Sequence, residues 1–187
     1  MQPTHIQTMT VEQFDEWVYL PENITTNYEY IGGDIIPVVA NNKSSMIAIE
    51  VAFVIKDYLR KNKLKGIVTG SDGGYIIGGE RYIPDVAYTS HEKAPYALNI
   101  GYSPVPPDLV VEVISNPANS AEMNELLIKV PNYIAEEIVI WVIDPVAAQV
   151  KVYEPQQAVK IITADMTLIG GTIFPDFAVL VGDLFAE

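Results

Sequence analysis

Seven consecutive residues restrict the fold of this chain more than any others: Asp108-Leu109-Val110-Val111-Glu112-Val113-Ile114. A near-continuous run of Leu, Val and Ile is what a central strand needs when both of its faces are covered. A strand with one wet face alternates apolar and polar residues instead. Glu112 interrupts the run. Burying an unpaired carboxylate costs several kcal/mol or forces it to take a proton. The strand therefore needs a cation or a hydrogen-bond donor beside Glu112. The plainer alternative is an edge strand whose Glu faces water and a surface lysine.

Around this strand the sequence alternates helical and extended patterns, which places the chain in the α/β class (α+β type). Thr10 to Val18 reads as a helix, with Thr10 and Gln13 spaced as a capping box. Tyr28 to Ile31, Gly32-Gly33 and Asp34 to Ile36 read as a hairpin. Ser44 to Lys63 reads as a long helix whose middle, Met46 to Ile55, is apolar nearly all round and so belongs inside the fold. Short strands are expected at Gly66 to Thr69, Tyr75 to Ile77 and Tyr82 to Thr89, then a proline-rich loop over residues 90 to 107. After the Glu112 strand comes a helix from Asn119 to Ala135, which Pro131 should kink or shorten. Strands follow at Ile138 to Ile143, Val150 to Tyr153 and Val159 to Thr163, and the C-terminal tail reads as irregular.

With 187 residues, 49% of them hydrophobic, the chain suits one folded domain spanning 1–187 rather than a disordered segment. It has no cysteine, which excludes disulfides and thiolate chemistry. Only His5 and His91 are present, so a Cys/His zinc site is excluded as well. Any metal must be held by oxygen ligands, which favours Mg²⁺, Mn²⁺ or Ca²⁺. Met1-Gln2-Pro3-Thr4-His5 lacks the basic flank and apolar run of a secretory signal. No apolar stretch reaches the roughly 18 residues of a membrane helix. The expectation is a cytoplasmic protein with no membrane partner. A net charge of −13 opposes broad nucleic-acid binding, which is driven by Lys and Arg. Five of the basic residues, Lys56, Arg60, Lys61, Lys63 and Lys65, gather at the far end of the long helix. They form either a phosphate-facing surface or the cations that suit a helix C-terminus.

Two further residues bear on the chemistry. Asp85 follows Pro84, a pair that is often no more than a turn. Lys129 is the only basic residue between Lys93 and Lys151 and lies on the helix after the Glu112 strand. It either reaches the carboxylates or pairs with Glu125 one turn away.

Taken in order, Pro84-Asp85 and Glu112-Val113-Ile114 resemble the motif of the PD-(D/E)XK nuclease superfamily, with Ile114 where that motif has lysine. The chain is more similar to the Uma-two family within it, restriction endonuclease-like domains in which the lysine has moved to the next helix, where Lys129 stands. Tyr28-Glu29, Gly33, Asp108 to Ser115, Tyr133 and Trp141 to Pro145 carry the same resemblance, from Thr8 to Phe185. It implies a mixed sheet flanked by helices and a metal-dependent endonuclease acting on DNA. Asp85, Glu112 and the Val113 carbonyl would hold Mg²⁺ or Mn²⁺. Lys129 would hold the attacking water and counter the charge that develops on the phosphoryl group. On this reading Lys129→Met keeps the fold but loses cleavage. Glu29 and Glu50 are further acids that could enlarge the site, although a structural role suits each as well. The alternative is a non-catalytic interaction module that keeps the nuclease fold. A homodimer is open to either.

Overall fold

The computed structural model describes residues 9–39, 41–99 and 101–186. His5, Thr8 and the N-terminal stretch read for a secretory signal fall outside them. At the N-terminal end of the described chain, α1 (Val11–Trp17) is closed by the Thr10–Gln13 capping box. Two hairpins then build a small sheet from β1 (Tyr28–Ile31), β2 (Asp34–Pro37), β4 (Tyr75–Ile77) and β5 (Glu80–Tyr82), in the order β2-β1-β5-β4. Each hairpin turns on a Gly-Gly pair with positive φ at both positions, 60° and 95° at Gly32-Gly33 and 59° and 86° at Gly78-Gly79. Two-residue turns of this hand match the strand twist and favour glycine. The Arg81 guanidinium ties β5 to α1 through paired hydrogen bonds to Asp15 of 2.8 and 2.5 Å.

The larger sheet has six strands in the order β10-β9-β8-β7-β6-β3. These are β3 (Gly66–Gly70), β6 (Val86–Ser90), β7 (Leu109–Val113), β8 (Val139–Asp144), β9 (Gln149–Tyr153) and β10 (Lys160–Thr163). All neighbours are antiparallel except β7 and β8, whose parallel pairing is made by the crossover helix α3 (Ser120–Ala135). β7 is central and buried at every residue, as its apolar run requires.

The two faces of this sheet are covered differently. On one lies α2 (Asn42–Lys61), capped by Asn41, with Ile47, Val51 and Ile55 against Val86, Val111 and Val113. On the other lie α3 and the small sheet, where Tyr82, Tyr133 and Ile77 meet Ala87, Val110 and Ile114. Glu112 belongs to this second face by alternation with Val110 and Ile114.

Three expectations need correction. α2 is not buried all round: Ile49 and Phe53 are 68% and 57% exposed, because the helix covers one side of the sheet and only its inner stripe is sheltered. α3 reaches Ala135 as expected, and Pro131 does not shorten it. Tyr133, fully buried beyond the proline, anchors the last turn. The tail is not irregular. It forms β11 (Thr167–Gly170), β12 (Phe174–Leu180) and a 3-10 turn (Val181–Phe185). Leu168, Phe174, Phe177, Val181 and Leu184 complete the core on the α2 side. A register shift at Ile169/Gly170 and a positive φ at Asp176 break the alternation that would have marked these strands. Among the described residues no helix is long and apolar enough to cross a membrane.

Candidate active site

The chain passes from the small sheet to the large one through Ile83-Pro84-Asp85, between β5 and β6. The β6–β7 register, Val86 to Val111 and Ala87 to Val110, continues one step back to set Asp85 opposite Glu112. Side chains two apart in a strand share a face, so Asp85 lies with Ala87 on the α3 side. Its Oδ2 accepts the Val113 N–H at 2.7 Å. Two carboxylates from neighbouring strands thus meet near one end of β7.

Lys129 reaches this point from α3. Its ammonium lies 2.8 Å from Glu29 Oε1 and 3.4 Å from Glu112 Oε1, and 5.8 Å from the Tyr82 ring centre. Its ion pairs are with Glu29 and Glu112, not with Glu125. One turn on, the Tyr133 hydroxyl donates to Glu112 Oε1 at 2.7 Å. Glu29 Oε1 also accepts the Ile83 N–H at 2.6 Å, at the crossing between the two sheets. Glu29, Glu112 and Lys129 are all buried.

Three acids therefore face one ammonium in a largely buried place. Burial raises the Asp85 carboxyl to about 7, with Glu112 repulsion adding to it and the Val113 N–H opposing it. Burial likewise raises Glu29, although Lys129 pulls the other way. For Lys129 burial alone would lower the pKa, but Glu112, Glu29 and Asp85 together hold it above the usual lysine value. Lys129 is accordingly a fixed cation at neutral pH.

Among the described residues Asp85 Oδ1 and Glu112 Oε2 accept no hydrogen bond, and neither is an orphaned buried atom. Two adjacent, accessible carboxylate oxygens with excess negative charge suit a hard dication. They fit a site made of two carboxylates and the Val113 backbone. Among the described residues no three His, Asp or Glu side chains gather to hold a metal. A cavity of about 60 Å³ opens onto Glu112, Val113 and Lys129, walled on its far side by Glu122 and Glu125. Burial raises the Glu125 carboxyl, which Lys129 partly offsets. Glu50, half-buried on α2, makes no hydrogen bond or ion pair among the described residues.

The structure brings together Asp85, Glu112, Val113 and Lys129 from the sequence reading. Glu29, left open there, is joined to them through Lys129. Tyr133 figured in the resemblance without a role, and it now has Glu112 as its acceptor. The signal for both was spacing: Tyr133 lies four residues beyond Lys129 on one helix face, and Glu29 sits in the strand Tyr28-Glu29-Tyr30-Ile31 of the small sheet. The basic cluster on α2 is not part of this site.

No curated protein matches the chain. A crystal structure from Anabaena variabilis, described as a "putative nuclease belonging to DUF820", superposes with a TM-score of 0.74 at 23% identity, over 95% of this chain and 97% of that one. At that identity the likeness shows a shared fold. The model of the Uma2 family, described as "Putative restriction endonuclease", matches residues 11–182. With a match of that extent, and with a shared fold beside it, the chain belongs to the Uma2 family.

Proposed function

We propose that this chain is a metal-dependent endonuclease that hydrolyses phosphodiester bonds in DNA. The observation that carries the reading is the meeting of Asp85 and Glu112 across β6 and β7 with the buried Lys129 ammonium beside them. Mg²⁺ or Mn²⁺ held by Asp85, Glu112 and the Val113 carbonyl would polarise the phosphate and make water a better nucleophile. The remaining roles belong to the chain. Tyr133 fixes the Glu112 carboxylate by its hydrogen bond. Glu29 holds Lys129 from the other side, so the ammonium points at the carboxylates instead of into solvent. A lysine kept charged in this way stabilises an oxyanion and orients a water; it does not take a proton. Beside a bound dication the Asp85 carboxyl, about 7 on its own, would be held ionised, its proton passing to solvent.

The test is nicking of supercoiled plasmid by the purified protein with Mn²⁺. Cleavage that disappears with EDTA, with Asp85→Asn and with Glu112→Gln is the expected result. Activity that survives in either variant would remove these residues from the reaction. The second reading, a non-catalytic interaction module, draws on the closed Glu29–Lys129–Glu112 chain of charges and on the −13 net charge. A stable, metal-binding protein that leaves every nucleic acid intact would favour it.

A further inference from the structure

A groove runs along the outer edge of β3, beginning at the end of β6 opposite Asp85. Its first section, about 460 Å³, lies between the last turns of α2, the start of β3 and residues 91–96. Lys56, Arg60, Lys65 and His91 line it, and no acidic side chain does. None of these four has an ion-pair partner among the described residues; on the same helix Lys61 is occupied by Asp57 at 2.7 Å. Glu92 and Asp108 line an adjoining hollow beside Lys63, which Lys65 and His91 also border; Lys56 and Arg60 face the groove alone. On a chain of −13 net charge this is a concentrated positive field.

A second section, about 240 Å³, continues along β3 and shares Ile67, Ala94 and Tyr96 with the first. Tyr96 stands at the junction with 83% of its surface exposed, the most exposed aromatic among the described residues. Thr89 lines the second section, and its buried hydroxyl is the one such side-chain atom there without a hydrogen-bond partner. Buried polar groups normally have a partner. The acid in this section, Asp72, already accepts a hydrogen bond from Asn27 at 2.6 Å.

Unpaired cations, an exposed ring and a continuous groove are the features that hold a single nucleic-acid strand. The cations take the phosphates, and the ring takes a base face that a duplex keeps stacked. We infer that the β3 groove binds single-stranded nucleic acid, with phosphates at Lys56, Arg60 and Lys65 and a base on Tyr96. The inference rests on the nuclease reading only in taking the ligand to be nucleic acid. The groove is separate from Asp85 and Glu112, so it would hold a strand away from the point of cleavage.

The test is fluorescence anisotropy with a labelled twelve-residue oligothymidine, in EDTA so that the carboxylate site plays no part. The expected result is salt-dependent binding that Arg60→Glu/Lys65→Glu weakens by about ten-fold or more. The salt slope should flatten by about 1.4, at about 0.7 per lost phosphate contact. Tyr96→Ala should weaken binding by about five-fold or more. All three substituted side chains are exposed, so thermal melting should show the fold intact. Unchanged affinity in the charge-reversal variant overturns the inference. So does tighter binding of the matching duplex, or displacement of the oligonucleotide by an equal concentration of inorganic phosphate. Failure of the nuclease reading looks different: the groove still binds, but plasmid stays uncut with Mn²⁺.

Discussion

The two ends of β6 carry opposite charge problems. Asp85 precedes the strand and sits in a buried place where acids outnumber cations. His91 follows it, beside free cations in an open groove. At the first end the charges are desolvated, so pairing and protonation decide both stability and chemistry. At the second end they are hydrated, so they contribute little to folding and act on ligands through their field. A substitution at the carboxylate end should therefore be read first in stability, and one at the groove first in binding.

The largest expected effect is at Lys129. The sequence reading had Lys129→Met leaving the fold intact. The structure argues otherwise, because removal of the ammonium leaves Glu29 and Glu112 buried without their cation. Breaking a buried pair from one side costs about 3–5 kcal/mol. Urea denaturation should show that loss for Lys129→Met, with a substantial part recovered in Lys129→Met/Glu29→Gln. Equal stability of Lys129→Met and wild type would mean that Lys129 is hydrated, and the contrast between the two ends would fail.

Asp85 gives a pH signature. The folded carboxyl keeps its proton to about pH 7, and the unfolded one loses it near 3.8. Between those values the native state binds more protons than the unfolded state, so metal-free stability falls as pH rises from about 4 to about 7 and then levels. Asp85→Asn removes this dependence and should be more stable than wild type at pH 8 in EDTA, by up to about 4 kcal/mol at about 1.4 kcal/mol per pKa unit. Melting curves across that range decide the matter. A wild type whose stability stays level from pH 4 to 7 relative to Asp85→Asn would show a hydrated carboxylate, and one that gains would show a carboxylate held below its ordinary range; either contradicts burial of Asp85.

A smaller effect is expected at Tyr133. Tyr133→Phe deletes the hydroxyl hydrogen bond to Glu112 while keeping the ring, at a cost of about 1 kcal/mol. Cleavage should fall further than that stability loss explains, because Glu112 is then free to rotate. An unaltered rate would make the tyrosine purely structural.

Much of the carboxylate end was legible in the sequence because burial there is written in neighbouring residues. Val110, Val111, Val113 and Ile114 declare a covered strand, and a carboxylate among them has to have a partner. The Gly-Gly turn and the Thr10 cap are equally local. What could not be read was whatever depended on distant contacts. Glu29 and Lys129 are one hundred residues apart and meet only because α3 folds back over the small sheet. α2 has an apolar composition on every side, and its exposed Ile49 and Phe53 follow from the sheet covering only one of them. The groove needs Tyr96, in a proline-rich loop, brought beside Arg60 on α2 and Lys65 just before β3.

The central claim is that Asp85 and Glu112 together hold a divalent ion, and thermal melting with Mn²⁺ tests it most directly. At a concentration one hundred times the Kd, binding to the native state stabilises it by about 2.7 kcal/mol, or about 5–10 °C in Tm for a chain of this size. Wild type should show that rise, and Asp85→Asn and Glu112→Gln, both folded, should show none. The same rise in all three proteins would place any bound ion elsewhere and contradict the account.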